Sequence, residues 1–192
     1  YYQTGLSNLL DVAVKKFNPH LKSIATTYSK VDEIPFDFER RRMSVIVATP
    51  NKKHLLLCKG AVEEMLSIST HIQDHGRTVS LDAHHRSATG RIIEKFEEDG
   101  FRLIAIATRE FSASRNVYSK SDETSLTLIG FLAFLDPPKE SAARALKALR
   151  QSGVTVKILT GDNDAVARKI CRDVGIAVDE TLMGTDIEPL SD

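Results

Sequence analysis

Apolar residues recur along the first part of the chain at spacings that predict both helices and strands. Over residues 4–17 they follow a helical spacing, and Pro19 ends that pattern. Strands are predicted at 42–50, where Met43, Val45 and Val47 alternate with Ser44, Ile46 and Ala48, and at 54–58. Residues 50–53, Pro-Asn-Lys-Lys, lie between them and are typical of a turn. The sequence therefore predicts a β-hairpin after the first helix.

The elements predicted after the hairpin again mix helices with strands. Asp82 suits the N-cap of a long helix that runs to residue 99, because its carboxylate can accept hydrogen bonds from free backbone amides. Gly100 suits the end of that helix, because glycine adopts the left-handed backbone conformation at little cost. A short helix is predicted at 61–69. Two strands are predicted at 101–108 and 126–135, with a polar loop at 112–125 between them. Antiparallel strands mixed with helices predict an α+β fold.

A different pattern begins after Asp136-Pro137-Pro138. Consecutive prolines cannot join a strand ladder, so these residues are the best candidate for a domain boundary. Helices are predicted at 139–152 and 164–174, and an apolar strand is predicted at 154–159. Such a strand is buried on both faces and needs neighbours in a parallel sheet, so we expect part of a doubly wound α/β domain.

The predicted division is a first domain at 1–135, a hinge at 136–138 and an incomplete second domain at 139–192. We expect the second segment to be less stable alone, because its strand lacks predicted partners.

Composition restricts the class of protein. Hydrophobic residues make up 42% and charged residues 27%, which suits a packed globular protein. Basic and acidic residues both number 26, so the net charge is zero, and this argues against a nucleic-acid partner. No apolar run approaches the ~20 residues of a membrane helix. Cys58 and Cys171 have no metal-ligand spacing, and we expect buried, reduced thiols in a cytosolic setting. The chain begins without Met, which we interpret as a soluble fragment of a larger protein.

Thr160-Gly161-Asp162 follows the apolar strand predicted in the second segment. Ligands in open α/β sheets bind where strands end and helix N-termini point. A threonine hydroxyl and an aspartate carboxylate at that place can hold a phosphate and a magnesium ion. The same residue types also serve as ordinary helix caps, and the turn alone does not decide between the two interpretations.

Two further segments of the first domain can bind an anion or an aromatic base. Lys59-Gly60 places a cation beside a glycine, which lets a ligand approach the backbone. The segment 36–42 combines two phenylalanines with three arginines, so Phe36 can stack on a nucleobase while arginines contact phosphate. A solvated lysine and a core phenylalanine beside a solvated charge run are the ordinary alternatives.

The order of these segments resembles that of P-type cation-transport ATPases over essentially the whole chain. These segments follow one another along the chain in this order: the segment 36–42, Lys59-Gly60-Ala61, Phe101-Arg102, Asp136-Pro137-Pro138-Lys139 and Thr160-Gly161-Asp162-Asn163. The segments 3–11 and 33–42 look most like the bacterial magnesium-transporting branch. The resemblance implies an ATP-binding domain followed by part of a phosphorylation domain.

The resemblance also implies roles for single residues. Phe36 would stack on adenine, Arg41 would face the nucleotide, and Lys59 with Gly60 would line the pocket floor. Arg102 would reach the phosphates and help to bridge the two domains. A second group would gather around the γ-phosphate and its magnesium ion; its members are Asp136, Thr160, Gly161 and Asp162. The implied ligands are ATP or ADP, with Mg²⁺ once the phosphorylation domain is complete.

The sequence departs from the family pattern in three places. The first helix offers Ser7, Asn8 or Asp11 where many members carry an adenine-contacting Glu, and Phe38 stands where many carry an Arg. Adenine affinity is therefore expected to be weaker than usual. The Asp-Lys-Thr-Gly-Thr motif, whose aspartate takes the phosphoryl group, does not occur in the sequence. We therefore expect the chain to bind nucleotide without hydrolysing it.

The resemblance implies that the parent protein is an enzyme, an ion-transporting ATPase with an aspartyl-phosphate intermediate. The implied partners are the remaining phosphorylation domain, the actuator domain and the transmembrane domain. The implied place is the cytoplasmic side of a bacterial membrane. Two alternatives stay open: a non-catalytic nucleotide-sensing or partner-binding module, and a fragment of a haloacid-dehalogenase-type phosphohydrolase.

Overall fold

The computed structural model of the chain describes residues 12–14, 16, 27–135, 137–161, 164–178 and 180–187. The chain divides into two compact units, residues 1–88 with 103–132 and residues 89–102 with 133–192. The sequence-based division places 89–102 in the first domain, whereas here they group with the second unit. The reason is local packing: Lys169 lies so near Gly100 that an added Cβ would come within 3.0 Å of its Cγ. The hinge at 136–138 stays a prediction.

The first unit is built on a mixed sheet of seven strands, which confirms the α+β fold. The strands are β1 (Ser29–Asp37), β2 (Arg42–Ala48), β3 (Lys53–Gly60), β4 (Ser69–Asp74), β5 (Arg77–Ser80), β6 (Phe101–Ser112) and β7 (Leu126–Leu135). Their order across the sheet is β1-β2-β3-β6-β7-β4-β5. Strands β1, β2, β3 and β6 pair antiparallel, β4 and β5 pair antiparallel, and β4 runs parallel to β7.

The helices follow the predicted positions closely. They are α1 (Val62–Ile68), α2 (Ala83–Glu98), α3 (Glu140–Gln151), α4 (Asp164–Asp173) and the single turn α5 (Gly184–Ile187), with a 3₁₀ turn at Lys120–Asp122. The Asp82 carboxylate accepts a hydrogen bond from the backbone N–H of His85 at 2.9 Å, as expected of an N-cap. The helix predicted at 4–17 lies largely outside the described residues. No helix of the described part is long and apolar enough to cross a membrane.

Strands β2 and β3 form the predicted hairpin. Arg42 lies opposite Gly60, and Ala48 lies opposite His54. Ile46 and Leu56 face each other across the ladder and are fully buried. Complete burial of such a side chain stabilises the fold by about 1.5–3 kcal/mol, which explains why the apolar pattern located this hairpin correctly.

The hydrophobic core of the first unit lies between the sheet and the elements packed on it. Its buried members are Ile34, Ile46, Leu56, Cys58, Met65, Ala105, Ala107, Tyr118, Leu126 and Leu128. Both cysteines are free and buried, which confirms the prediction for them. The Tyr118 hydroxyl lies 2.8 Å from Nδ1 of His54, and the Tyr118 backbone N–H donates to Asp32 at 2.7 Å. The polar loop is therefore bound to the core.

One predicted strand is wrong. Residues 154–159 form no strand, and none of the seven strands pairs with them. Leu159 is 93% exposed, and Val154 and Ile158 are also exposed. The apolar composition indicated a buried central strand, but a strand of that kind needs hydrogen-bonded neighbours on both sides.

Candidate functional site

Two aromatic rings are exposed where β1 ends and the turn to β2 begins. Phe36 is 49% exposed and Phe38 is 89% exposed. Their ring centroids lie 5.3 Å apart, and their planes are nearly perpendicular. Base–aromatic stacking contributes ~1–3 kcal/mol per base in single-strand binders. The exposed Phe36 ring is therefore available to a planar ligand.

The guanidinium of Arg40 contacts the chain on both sides of Phe36. Its Nη2 donates to the Pro35 carbonyl at 2.7 Å, and its Nε donates to the Asp37 carboxylate at 2.6 Å. Its Nη1 donates to the carboxylate of Glu123. The backbone N–H of Arg40 donates to the same Asp37 side chain at 2.6 Å. The backbone that carries Phe36 is thus held by an arginine from the following turn.

Glu123 is a fully buried carboxylate at the centre of this arrangement. Arg42 donates to it through Nε at 3.0 Å, and the Ser44 hydroxyl donates to its other oxygen at 2.8 Å. Its side chain has no exposed surface, while those of Arg40 and Arg42 are 11% and 14% exposed. A buried carboxylate costs several kcal/mol unless it is paired and hydrogen-bonded. Here three side chains satisfy both oxygens.

The Asp37 carboxylate is kept charged by its neighbours. The Lys120 ammonium, 2.7 Å away, and the Arg40 backbone and side chain hold the pKa of Asp37 well below its usual range. The carboxylate therefore stays ionised at neutral pH and remains an acceptor for Arg40.

The corner where β3 meets α1 lies against the turn that carries Arg41. A Cβ added at Gly60 would lie 2.5 Å from Cβ of Arg42 and 2.8 Å from the carbonyl oxygen of Arg41. The Ala61 N–H donates to that carbonyl at 3.0 Å, and the Arg41 N–H donates to the Asp37 carbonyl at 2.9 Å. These contacts hold Arg41 at a φ of 48°, a left-handed conformation that is uncommon for a residue with a side chain.

The Arg41 side chain is engaged by acidic residues of α1. Its Nη1 lies 2.9 Å from Glu64 and 3.7 Å from Glu63. Arg41 is half exposed, so the pair is worth little in water. The second carboxylate oxygen of Glu64, Oε2, is buried without a hydrogen-bond partner. Because the ion pair is half exposed, little free energy opposes a change of partner by the Arg41 side chain.

The strand register places four of the predicted residues at one end of the sheet. Asp37 of β1 pairs with Arg42 of β2, and Arg42 pairs with Gly60 of β3. Neighbouring strands lie about 4.8 Å apart, so the ends of β1 and β3 are separated by roughly 10 Å. Phe36 thus lies on the β1 side of the first residues of β2. Arg41 lies on the β3 side, against Gly60, where the Ala61 N–H donates to its carbonyl.

The remaining predicted residues belong to the second unit or lie outside the described residues. Arg102 is exposed at the start of β6, and Thr160 and Gly161 are exposed after α3. Asp136 and Asp162 are not among the described residues. The predicted roles of all of these residues stay predictions.

The second unit has a cleft of its own of about 360 Å³. Its lining comes from the end of α3 and from the segments after α3 and α4, and comprises Leu146, Arg150, Gly153, Val154, Thr155, Val156, Ile176 and Ala177. None of the residues predicted to bind nucleotide lines it. Within the described part of the chain there is no group of three or more His, Cys, Asp or Glu side chains that could hold a metal ion.

Sequence reasoning identified the arginine run but missed Glu123. The polar segment 112–125 shows no periodicity, so nothing local distinguishes this glutamate from its exposed neighbours. Its partners lie 79 to 83 residues away in the sequence. Only the fold shows that Glu123 joins Arg40, Arg42 and Ser44 in a cluster beside the turn between β1 and β2.

Comparison with known proteins identifies the family of this chain. The family model described as "P-type ATPase, cytoplasmic domain N" matches residues 9–141. The chain is 48% identical over 194 residues to the magnesium-transporting ATPase, P-type 1, of Escherichia coli K12. It is 47% identical over 194 residues to the protein of the same name from Salmonella typhimurium LT2. It is 27% identical over 151 residues to a calcium-transporting ATPase of Bacillus subtilis.

The coverage of these relatives is uneven. All of this chain is matched by the E. coli and Salmonella proteins, but it spans only 22% of their length. The match to the Bacillus protein covers 79% of this chain and 17% of that protein.

Proposed function

This chain belongs to the P-type ATPases, with residues 9–141 matching their cytoplasmic domain N, and we propose that it binds ATP and ADP for a magnesium-transporting member of that family. One observation carries the proposal. An exposed aromatic ring, Phe36, is held in place by an arginine and lies at the same end of the sheet as Arg41 and Lys59. A flat apolar surface beside cationic groups suits a nucleotide, whose base stacks while its phosphates attract cations.

Each residue has a distinct task in the proposed site. Phe36 stacks on the adenine ring. Lys59 and Arg41 supply positive charge, and Arg41 leaves Glu64 for the ligand when a phosphate arrives. Gly60 lets the end of β3 pack closely against Arg41 and Arg42, because any side chain at this position would collide with them. Arg102 is proposed to contact the phosphates.

The whole parent protein is proposed to couple ATP hydrolysis to the transport of a cation. An aspartate carboxylate outside this sequence attacks the γ-phosphate, forms an aspartyl-phosphate and releases ADP. The oxygen donors Asp136, Thr160 and Asp162 are of the kind that Mg²⁺ prefers, and they would hold that ion beside the phosphate. Mg²⁺ there would neutralise phosphate charge. The proposed partners are the rest of the phosphorylation domain and the actuator and transmembrane domains, on the cytoplasmic side of a bacterial membrane.

The transported ion is proposed to be magnesium. The support is the difference in similarity, since two relatives named as magnesium-transporting are 47–48% identical over the whole chain. The calcium-transporting relative of Bacillus subtilis is 27% identical over a shorter stretch.

The test of nucleotide binding is calorimetric titration of the chain with ATP and with ADP. Phe36→Ala removes the stacking ring and should weaken both affinities by roughly tenfold or more. The matched control is Val117→Ala, because Val117 is an apolar side chain of the same unit that is 77% exposed. Equal affinity for the Phe36→Ala protein and the unmodified chain would contradict the proposed stacking.

A further inference from the structure

The Arg40 side chain braces the end of β1 that carries Phe36. Arg40 donates to Pro35 on one side of Phe36 and to Asp37 on the other. The guanidinium is a rigid planar fork, so bonds to both neighbours restrain the backbone between them. Phe36 itself is half exposed and has no comparable enclosure by core residues.

Arg40 is in turn fixed to the core. Its third contact is Glu123, whose side chain has no exposed surface. Arg42 and Ser44 bind the same carboxylate and determine where it lies. A chain of contacts therefore runs from the interior of the first unit, through Glu123 and Arg40, to the backbone of an exposed ring.

We infer that Arg40 is a positioning residue that preorganises Phe36 for the nucleotide, and that buried Glu123 is its anchor. This inference rests on the proposed nucleotide-binding function. A ligand that stacks on a loose ring must order that ring and its backbone on binding, and this ordering reduces affinity. The Arg40–Glu123 pair has already ordered the segment before the ligand arrives.

Three variants of the 192-residue chain separate this role from general stability. Arg40→Lys keeps the charge but replaces the planar fork by a single nitrogen on a flexible stem. Asp37→Asn weakens the outer contacts that Asp37 makes with Arg40 and Lys120, and it leaves the buried pair intact. Glu123→Gln removes the anchoring charge. The matched control is Lys53→Gln, because Lys53 is an exposed cation of the same unit that pairs with Glu110 at 2.6 Å and belongs to neither the Arg40 contacts nor the Glu123 cluster.

Two readouts are needed. The first is ADP affinity by calorimetry. The second is the fluorescence anisotropy of a tryptophan introduced as Phe38→Trp, which is a unique reporter because the chain contains no tryptophan. It lies beside Phe36 and reports the order of that turn without any ligand.

The Arg40→Lys, Asp37→Asn and Glu123→Gln proteins should bind ADP about two- to tenfold more weakly, the range expected when one or two side chains must be ordered on binding. Their anisotropy should fall below that of the Phe38→Trp parent. Lys53→Gln should leave both readouts unchanged within about twofold. If Glu123→Gln does not fold, as judged by circular dichroism, Asp37→Asn decides the question.

Unchanged ADP affinity and anisotropy in Asp37→Asn and Arg40→Lys would overturn the inference. That result differs from failure of the proposed function, in which the unmodified chain itself binds no nucleotide or Phe36→Ala binds it equally well. Equal losses in Lys53→Gln would also overturn the inference, because they would show a general effect of removing a cation from this unit without specific positioning.

Discussion

Replacing Gly60 by alanine tests the geometry of the corner between β3 and α1. The new Cβ would lie 2.5 Å from Cβ of Arg42 and 2.8 Å from the Arg41 carbonyl oxygen. Neither atom is the free end of a flexible side chain, so the backbone of the turn has to move. Overpacking of this kind costs about 1–3 kcal/mol. The shifted turn also carries Arg41, so nucleotide affinity should fall together with stability.

Urea unfolding followed by circular dichroism measures the effect. With a slope of about 1–3 kcal/mol per molar urea, a loss of about 2 kcal/mol lowers the unfolding midpoint by roughly 1 M. Gly90→Ala is the matched control, because Gly90 lies inside α2 and an added Cβ would meet nothing within 4 Å. That variant should gain about 0.5–1 kcal/mol from helix propensity. A Gly60→Ala protein as stable as the unmodified chain would refute the predicted collision.

Three further predictions concern a thiol, an ion pair and the second segment. Burial raises the pKa of Cys58 to about 11, so iodoacetamide should leave this thiol unmodified at neutral pH until urea unfolds the chain; labelling in the folded state would contradict its burial. Glu64→Gln should release Arg41 and strengthen ATP binding about two- to threefold at low salt, more than Glu63→Gln, whose carboxylate is 3.7 Å from Arg41. Equal ATP affinities of the two variants in calorimetry would show that the Arg41–Glu64 pair has no effect on binding. Limited proteolysis should first cut beyond Lys139 and leave a core ending near Leu135. Survival of 139–192 with loss of the first 135 residues would refute the domain division predicted from the sequence.

The sequence predicted those parts of the fold in which the local pattern and the final environment agree. The β2–β3 hairpin was predictable because Ile46 and Leu56 are apolar and face the core. Strand β1 was missed because it is an edge strand that contains Pro35 and several charged residues, which are typical of edges and depleted elsewhere in sheets. Strand β5, at the other edge, has only four residues and carries a similarly weak signal.

The site was predictable only in part for the same reason. Phe36, Arg41 and Lys59 stand in short motifs, and the resemblance assigned them roles before the fold was known. The cluster of Arg40, Glu123 and Ser44 depends on contacts between residues about 80 positions apart, which no local pattern encodes. The strand expected at 154–159 was wrong because apolar composition alone cannot provide the neighbouring strands that such a segment needs.

Titration of ¹⁵N-labelled chain with ATP, followed by amide chemical shifts, tests whether nucleotide binds at the end of the sheet formed by β1, β2 and β3. Binding there should produce saturable shifts concentrated at residues 35–42 and 58–61, with little change along β4 and β5 at the far edge of the sheet. Saturable shifts confined to β4 and β5, or no saturable shifts at any ATP concentration reached, would contradict it.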